Sequence, residues 1–292
     1  MRRNGADSAP LCSLANVTEW ILGSSRRSFA PAPPVDDEVG EATANHHRLR
    51  QRAERNGLGR QPGRLRMKTP ISIKRGTVAG IFIDLQEEHR QDPRYLVEGF
   101  AGILANVQRL QAAARANHVP LQHWAYIVDL DKQDRPFHPV GADGKSAFSD
   151  KSDPLTEICH EVAPAKDETL LVKAEASAFR SGPAAERLKA SGIEWLVVAG
   201  VWTEACIDAS VKDAVTKGFR VLLVKDACGS GSAAMHQTGI LNLANRLYGG
   251  AVTDTEGACR LLAGETVTAW QVEGSVPLRF TFDNAAALYA DL

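Results

Sequence analysis

The sequence predicts an α/β fold: a parallel sheet of six strands covered on both faces by helices. Three observations predict it. Short apolar runs rich in β-branched residues recur from residue 77 onward, each of strand length. Between them lie segments whose apolar residues repeat at helical spacing. The two kinds alternate, and that order specifies parallel strands joined by helical crossovers.

The elements follow in order. "TVAGIFID" (77–84) is a buried strand, and "RYLVEGFAGILANVQRLQAAARANHV" (94–119) a helix with Leu96, Phe100, Ile103, Leu104, Val107 and Leu110 on one face. "VPLQHWAYI" (119–127) is a second strand, followed by a long polar loop to residue 154. "ETLLVKA" (168–174) is a third strand and "PAAERLKASG" (183–192) a short helix closed by Gly192. "WLVVAGV" (195–201) is the fourth strand. The helix "TEACIDASVKDAVTKG" (203–218) has Thr203 as its N-cap and Gly218 at its end. "RVLLVKDA" (220–227), a helix from "SAAMHQTGILNLANRLYGG" (232–250) and "AVTDTE" (251–256) complete the pattern, with Ser232 as an N-cap.

The domain so defined covers residues 76–264. Residues 1–75, rich in Pro, Gly and Arg without apolar periodicity, read as a disordered or loosely ordered extension. They hold 14 Lys and Arg against 7 Asp and Glu, which leaves about −8 on the remainder of a chain whose net charge is −1. Two readings stay open: a basic targeting arm, or an upstream addition to a chain that starts at Met67. Residues 265–292 form a C-terminal extension in which "VPLRFTF" (276–282) reads as a strand. It packs either on its own domain or on a neighbouring subunit.

A net charge near zero offers no electrostatic case for nucleic acid or an anionic membrane surface. No apolar run approaches the ~20 residues of a membrane span. The five cysteines (Cys12, Cys159, Cys206, Cys228, Cys259) are odd in number and lack zinc-ligand spacing, which fits a reducing cytoplasm.

In open parallel sheets, ligands bind beyond the carboxyl ends of the strands. Three reactive groups stand at such ends: Asp84 in "FIDLQ", Lys173 in "LLVKAEASAF", and Cys206 just after "WLVVAGV". Singly, each has an ordinary reading as a turn residue, a surface charge and an inert core thiol. Together they supply a nucleophile, a base and a charge partner. With Thr203 as cap, Cys206 occupies the third helical position, where free N–H groups and the helix dipole favour thiolate and oxyanion alike.

These pieces, with "LVVAGVWTEACIDASVKDAVTKGFRVLLVKDA" and the spacing between them, resemble the isochorismatase-like cysteine hydrolases over about residues 76–262. The resemblance implies a Rossmann-like three-layer α/β/α fold and an Asp84–Lys173–Cys206 catalytic triad. It also implies a cis peptide between Val201 and Trp202, and an oxyanion hole from the N–H groups of Trp202 and Cys206. Cleavage of an amide or ureido C–N bond in a small molecule, through an acyl-enzyme and in a homo-oligomer, follows from the same likeness. An ester-like bond, or a fold kept without turnover, is the alternative.

The Asp-x-His motif of zinc-dependent nicotinamidases in this family does not occur after the second strand. That leaves His123 and His138 as the residual metal candidates and no metal or other cofactor as the expectation. Gln86, Trp124 and Phe179 are the candidate substrate-binding residues, with core packing the competing role for the two aromatics. Ser177 shares the Lys173 segment. Cys228 reads as structural or redox-sensitive, and "CGSGSAA" as a helix start or an anion site.

Overall fold

Val78–Ile83 and Trp195–Val201 are buried at every position, as neighbouring strands in the middle of a covered parallel sheet must be. The computed structural model describes residues 67–132 and 137–292. In chain order its strands and helices are β1 (Lys68–Ile71), β2 (Val78–Ile83), the single turn α1 (Glu88–Gln91), α2 (Phe100–Ala116), β3 (Leu121–Tyr126), β4 (Thr169–Lys173), α3 (Ala184–Ala190) and β5 (Trp195–Val201). There follow α4 (Asp208–Thr216), β6 (Arg220–Gly229), α5 (Ala233–Ala244), β7 (Ala251–Thr253), α6 (Thr255–Leu262), β8 (Val267–Trp270) and α7 (Ala285–Ala290).

The sheet order is β1-β8-β7-β6-β5-β2-β3-β4. The six strands from β7 to β4 are mutually parallel and correspond to the six expected. The sheet itself has eight strands and is mixed, because β8 and β1 add antiparallel beside β7. Both are short. β1, "KTPI", carries a charge and a proline tolerated at an edge, so it reads as tail rather than strand.

β1 therefore brings residues 68–71 of the expected extension into the sheet, while residues 1–66 lie outside the described residues. The C-terminal segment folds on its own domain, with Leu278, Ala285 and Leu292 in the core. Its strand is "VTAW" rather than "VPLRFTF", which runs without strand pairing.

Helices cover both faces. On one, Ile81, Ile83, Leu196 and Val198 pack with Val211 of α4 and with Ile240 and Leu241 of α5. On the other, Phe82, Val197 and Leu222 pack with Val107 and Leu110 of α2 and Leu261 of α6. From β2 the chain builds outward through β3 to β4, then returns to place β5 on the other side of β2. That reversal makes the carboxyl ends of β2 and β5 the switch point of the sheet, the place where such sheets hold ligands.

Candidate active site

Asp84 follows β2 in the left-handed region, with φ 54°, and its N–H donates to Trp124 O at 2.9 Å, extending the ladder to β3 by one bond. Lys173 ends β4 in register with Tyr126, and its Nζ lies 4.3 Å from that ring's centre. The long side chain thus crosses the end of β3 toward β2. Nζ donates to Asp84 Oδ2 at 2.7 Å, to Glu175 O at 3.2 Å and to Cys206 Sγ at 3.3 Å. The three groups anticipated at separate strand ends thus meet around one ammonium.

Both charged partners are buried, with side chains 4% exposed. Burial pushes the Lys173 ammonium toward neutrality, the Asp84 carboxylate pulls the other way, and its pKa ends raised. Burial and then Asp84 push the Cys206 thiol upward, and Lys173 offsets only part of this. Desolvation beside a carboxylate thus works toward S–H, against the pull toward thiolate expected from a helix start and one lysine. Asp84 Oδ1 is buried with no hydrogen-bond partner.

The turn carrying Cys206 also differs from expectation. Thr203–Ile207 form one π-helical turn ahead of α4, and Ala205 N–H and Ile207 N–H both donate to Trp202 O. Thr203 caps nothing; its hydroxyl donates to Gly229 O at 3.0 Å and lies 2.8 Å from His236 Nδ1. The Val201–Trp202 peptide is cis.

Glycines set the close approaches. Gly200 has φ 130°, and a Cβ there would lie 2.0 Å from Ile83 O, so β5 approaches β2 beside Asp84 only because this position has no side chain. In "CGSGSAA", a Cβ on Gly231 would meet the Trp202 ring at 2.6 Å, and Ser232 Oγ caps α5 by accepting from Met235 N–H at 3.2 Å. These roles account for the segment without an anion. Cys228 is buried, its thiol pushed up to about 12 by burial, and thus unreactive.

The candidate substrate-binding residues divide between core and groove. Gln86 is fully buried and saturated: Nε2 donates to Tyr126 O and Thr156 O, and Oε1 accepts from Tyr126 N–H. It fixes the end of β3 and has no group left for a ligand. Phe179, 1% exposed, stacks edge-on against Trp124 and beside Phe219 in the core. Trp124 is 5% exposed but borders a groove of about 600 Å³ along β3, β4 and α3. His123 Nε2 pairs with Glu168 at 2.8 Å and His138 Nε2 with Ser146 Oγ at 2.7 Å, so both metal candidates are engaged. Among the described residues, Glu87, His160 and Glu161 have metal-like spacing, but the Arg90 guanidinium bonds both carboxylates.

Sequence reasoning missed Tyr126, Glu88 and His89. Tyr126 reaches Lys173 through a strand register that no motif encodes. His89 is buried, its ring 6.2 Å from that of Trp202, and burial lowers its pKa. Glu88 Oε1 accepts from Ser149 Oγ at 2.6 Å, and burial raises the carboxyl to about 7. Their polarity hid their burial.

Comparison with known proteins agrees with this architecture. The isochorismatase domain family model matches residues 78–257, and the chain belongs to that family. Among curated relatives, it is 36% identical over 116 residues to the maleamate amidohydrolase of Pseudomonas putida, covering 39% of this chain and 54% of that one. It is 27% identical over 189 residues to the N-carbamoylsarcosine amidase of an Arthrobacter species, covering 63% of this chain and 70% of that one. The chain thus spans about half the length of the first relative. A cysteine hydrolase from Pseudomonas syringae pv. phaseolicola shares the fold, with TM-score 0.58, 22% identity, and 66% and 95% of the two chains covered. An isochorismatase family protein from Desulfovibrio vulgaris superposes with TM-score 0.56 at 26% identity, over 64% of this chain and 98% of that one. Among the described residues no helix is long and apolar enough to cross a membrane.

Proposed function

We propose that the chain is a cysteine amidohydrolase that cleaves the C–N bond of a small carboxamide or ureido compound through an acyl-enzyme on Cys206. The observation that carries this reading is the convergence of Asp84 and Cys206 on Lys173 Nζ, with Asp84 Oδ1 left unpartnered. A buried carboxylate oxygen without a donor costs roughly 1–3 kcal/mol. That cost has a purpose if the oxygen is the acceptor for the thiol proton. The amidohydrolase and amidase relatives support the bond type.

The chemistry follows from the protonation states. Asp84 takes the Cys206 proton as sulfur attacks the carbonyl carbon. The backbone N–H groups of Trp202 and Cys206 face the developing oxyanion. Asp84 returns the proton to the departing nitrogen, and the C–N bond breaks to leave a thioester. Water, deprotonated by Asp84, hydrolyses the thioester; the acid leaves and Cys206 regains its proton. Lys173 keeps its positive charge throughout and holds both partners in place.

A panel of small carboxamides and ureido compounds, followed by ammonia release, tests this reading. Turnover should appear with wild type and vanish with Cys206→Ala. Undiminished ammonia release from the variant would overturn the nucleophile assignment.

A further inference from the structure

A second polar chain meets the Cys206 turn from its far side. Thr203 begins that turn, His236 belongs to α5 and Tyr289 to α7. Thr203 Oγ1 lies 3.0 Å from Gly229 O and 2.8 Å from His236 Nδ1, while His236 Nε2 lies 3.0 Å from the Tyr289 hydroxyl.

One proton arrangement satisfies these three contacts. Gly229 O only accepts, so the one Thr203 hydroxyl proton goes there. Oγ1 must then accept from His236, which puts the ring proton on Nδ1. Nε2 is left as acceptor and takes the Tyr289 O–H. The chain runs one way, from Tyr289 to His236 to Thr203 to the end of β6. Burial holds its two titratable members in these states, lowering His236 to about 4 and raising Tyr289 to about 12. The charged group facing Tyr289 is Lys225, whose Nζ is 5.0 Å from the ring centre and donates to Tyr289 O at 3.0 Å. α5 is also pressed against the turn: a Cβ on Gly239 would meet Thr203 Cγ2 at 2.9 Å.

We infer that Tyr289 is a positioning residue for Cys206, acting through His236 and Thr203, so that the C-terminal helix sets the start of the nucleophile's turn. Tyr289 lies beyond the family-matched residues 78–257. Without the hydroxyl, His236 can move its proton to Nε2. Nδ1 then competes with Gly229 O for the Thr203 proton, and the turn loses its single arrangement. The inference rests on Cys206 being the nucleophile.

The test uses the full chain with Tyr289→Phe, Thr203→Val, the double variant and Thr203→Ser. Two readouts are taken: kcat and KM on an amide substrate, and the rate of Cys206 alkylation by iodoacetamide. Tyr289→Phe should lower kcat about five-fold, the value of one hydrogen bond, with KM within about two-fold. Its alkylation rate should shift by a similar factor. Thr203→Val should do likewise, the double variant should be no worse than the larger single, and Thr203→Ser should retain wild-type values. Unchanged kcat and alkylation in folded Tyr289→Phe, or losses that multiply in the double variant, would overturn the inference. If wild type hydrolyses no amide while alkylation still responds to Tyr289→Phe, the positioning role stands and the amidohydrolase reading falls.

Discussion

Two charge clusters lie at opposite ends of β4, one around Glu168 just before it and one around Lys173, its last residue, and they are built in opposite ways. At the amino end, His123 and Arg115 converge on Glu168. Arg115 binds both carboxylate oxygens, and Oε2 also pairs with His123 and accepts from Ala165 N–H. At the carboxyl end, Asp84, Lys173 and Cys206 converge with one carboxylate oxygen unpartnered and a thiol whose proton burial holds in place. The first cluster is saturated and has nothing left to exchange. The second stores an unmet acceptor beside a proton it can take. Saturation marks a cluster that holds a fold, and an unmet acceptor beside a thiol is what the proposed mechanism uses.

Substitutions in the two clusters should separate accordingly. The largest effects belong to Cys206→Ala and Asp84→Asn, each lowering kcat by about 10³-fold or more with the fold intact, as circular dichroism and ammonia release would show. A hydrogen-bonding but non-basic Asn at 84 that left kcat intact would remove the proton transfer from the mechanism. Gly200→Ala comes next: a methyl driven into Ile83 O should cost at least about 3 kcal/mol and move Asp84, lowering activity about a hundred-fold. Denaturant melts and kinetics on the folded fraction measure the two parts separately.

Glu168→Ala probes the other cluster. It strands the buried His123, so stability should fall by about 1–3 kcal/mol while kcat per folded molecule stays at the wild-type value. A matching fall in kcat would join the two clusters functionally and blur the distinction between them.

The smallest effects concern pH. Glu168 is held down to about 2, chiefly by its Arg115 bonds, so its contribution is present above its ordinary 4.5 and lost as pH falls toward 2. Glu88 has the opposite sign. Raised to about 7 by burial, it stabilises the fold fully below 4.5 and loses that contribution as pH rises through 7. Glu88→Gln should therefore flatten the decline in stability between pH 5 and 8, scanned by thermal melts, by an amount on the order of 1–3 kcal/mol. A variant whose stability declines with pH as steeply as wild type would place that slope on another group.

Much of this was legible in the sequence, for identifiable reasons. Six apolar strands and their crossovers leave a direct periodic trace, and Asp84, Lys173 and Cys206 stand at strand ends that a parallel sheet brings to one edge. What sequence reasoning missed depends on contacts between distant segments. β1 and β8 are too short and too polar to read without each other. Thr203 looks like a cap until β6 and α5 present Gly229 O and His236 to its hydroxyl. Gln86 and Phe179 lie near the site in sequence, yet packing turns both into the interior. Burial, which no local pattern reports, pushes the Cys206 thiol up against the pull of the lysine beside it.

The central claim is that Cys206 carries the substrate's acyl group. The direct measurement is mass spectrometry of enzyme quenched during turnover of an amide substrate, with peptide mapping. The account predicts a mass increase equal to the acyl group on the peptide containing Cys206, absent in Cys206→Ala. Steady turnover with no adduct on that peptide, together with activity retained in Cys206→Ala, would contradict it.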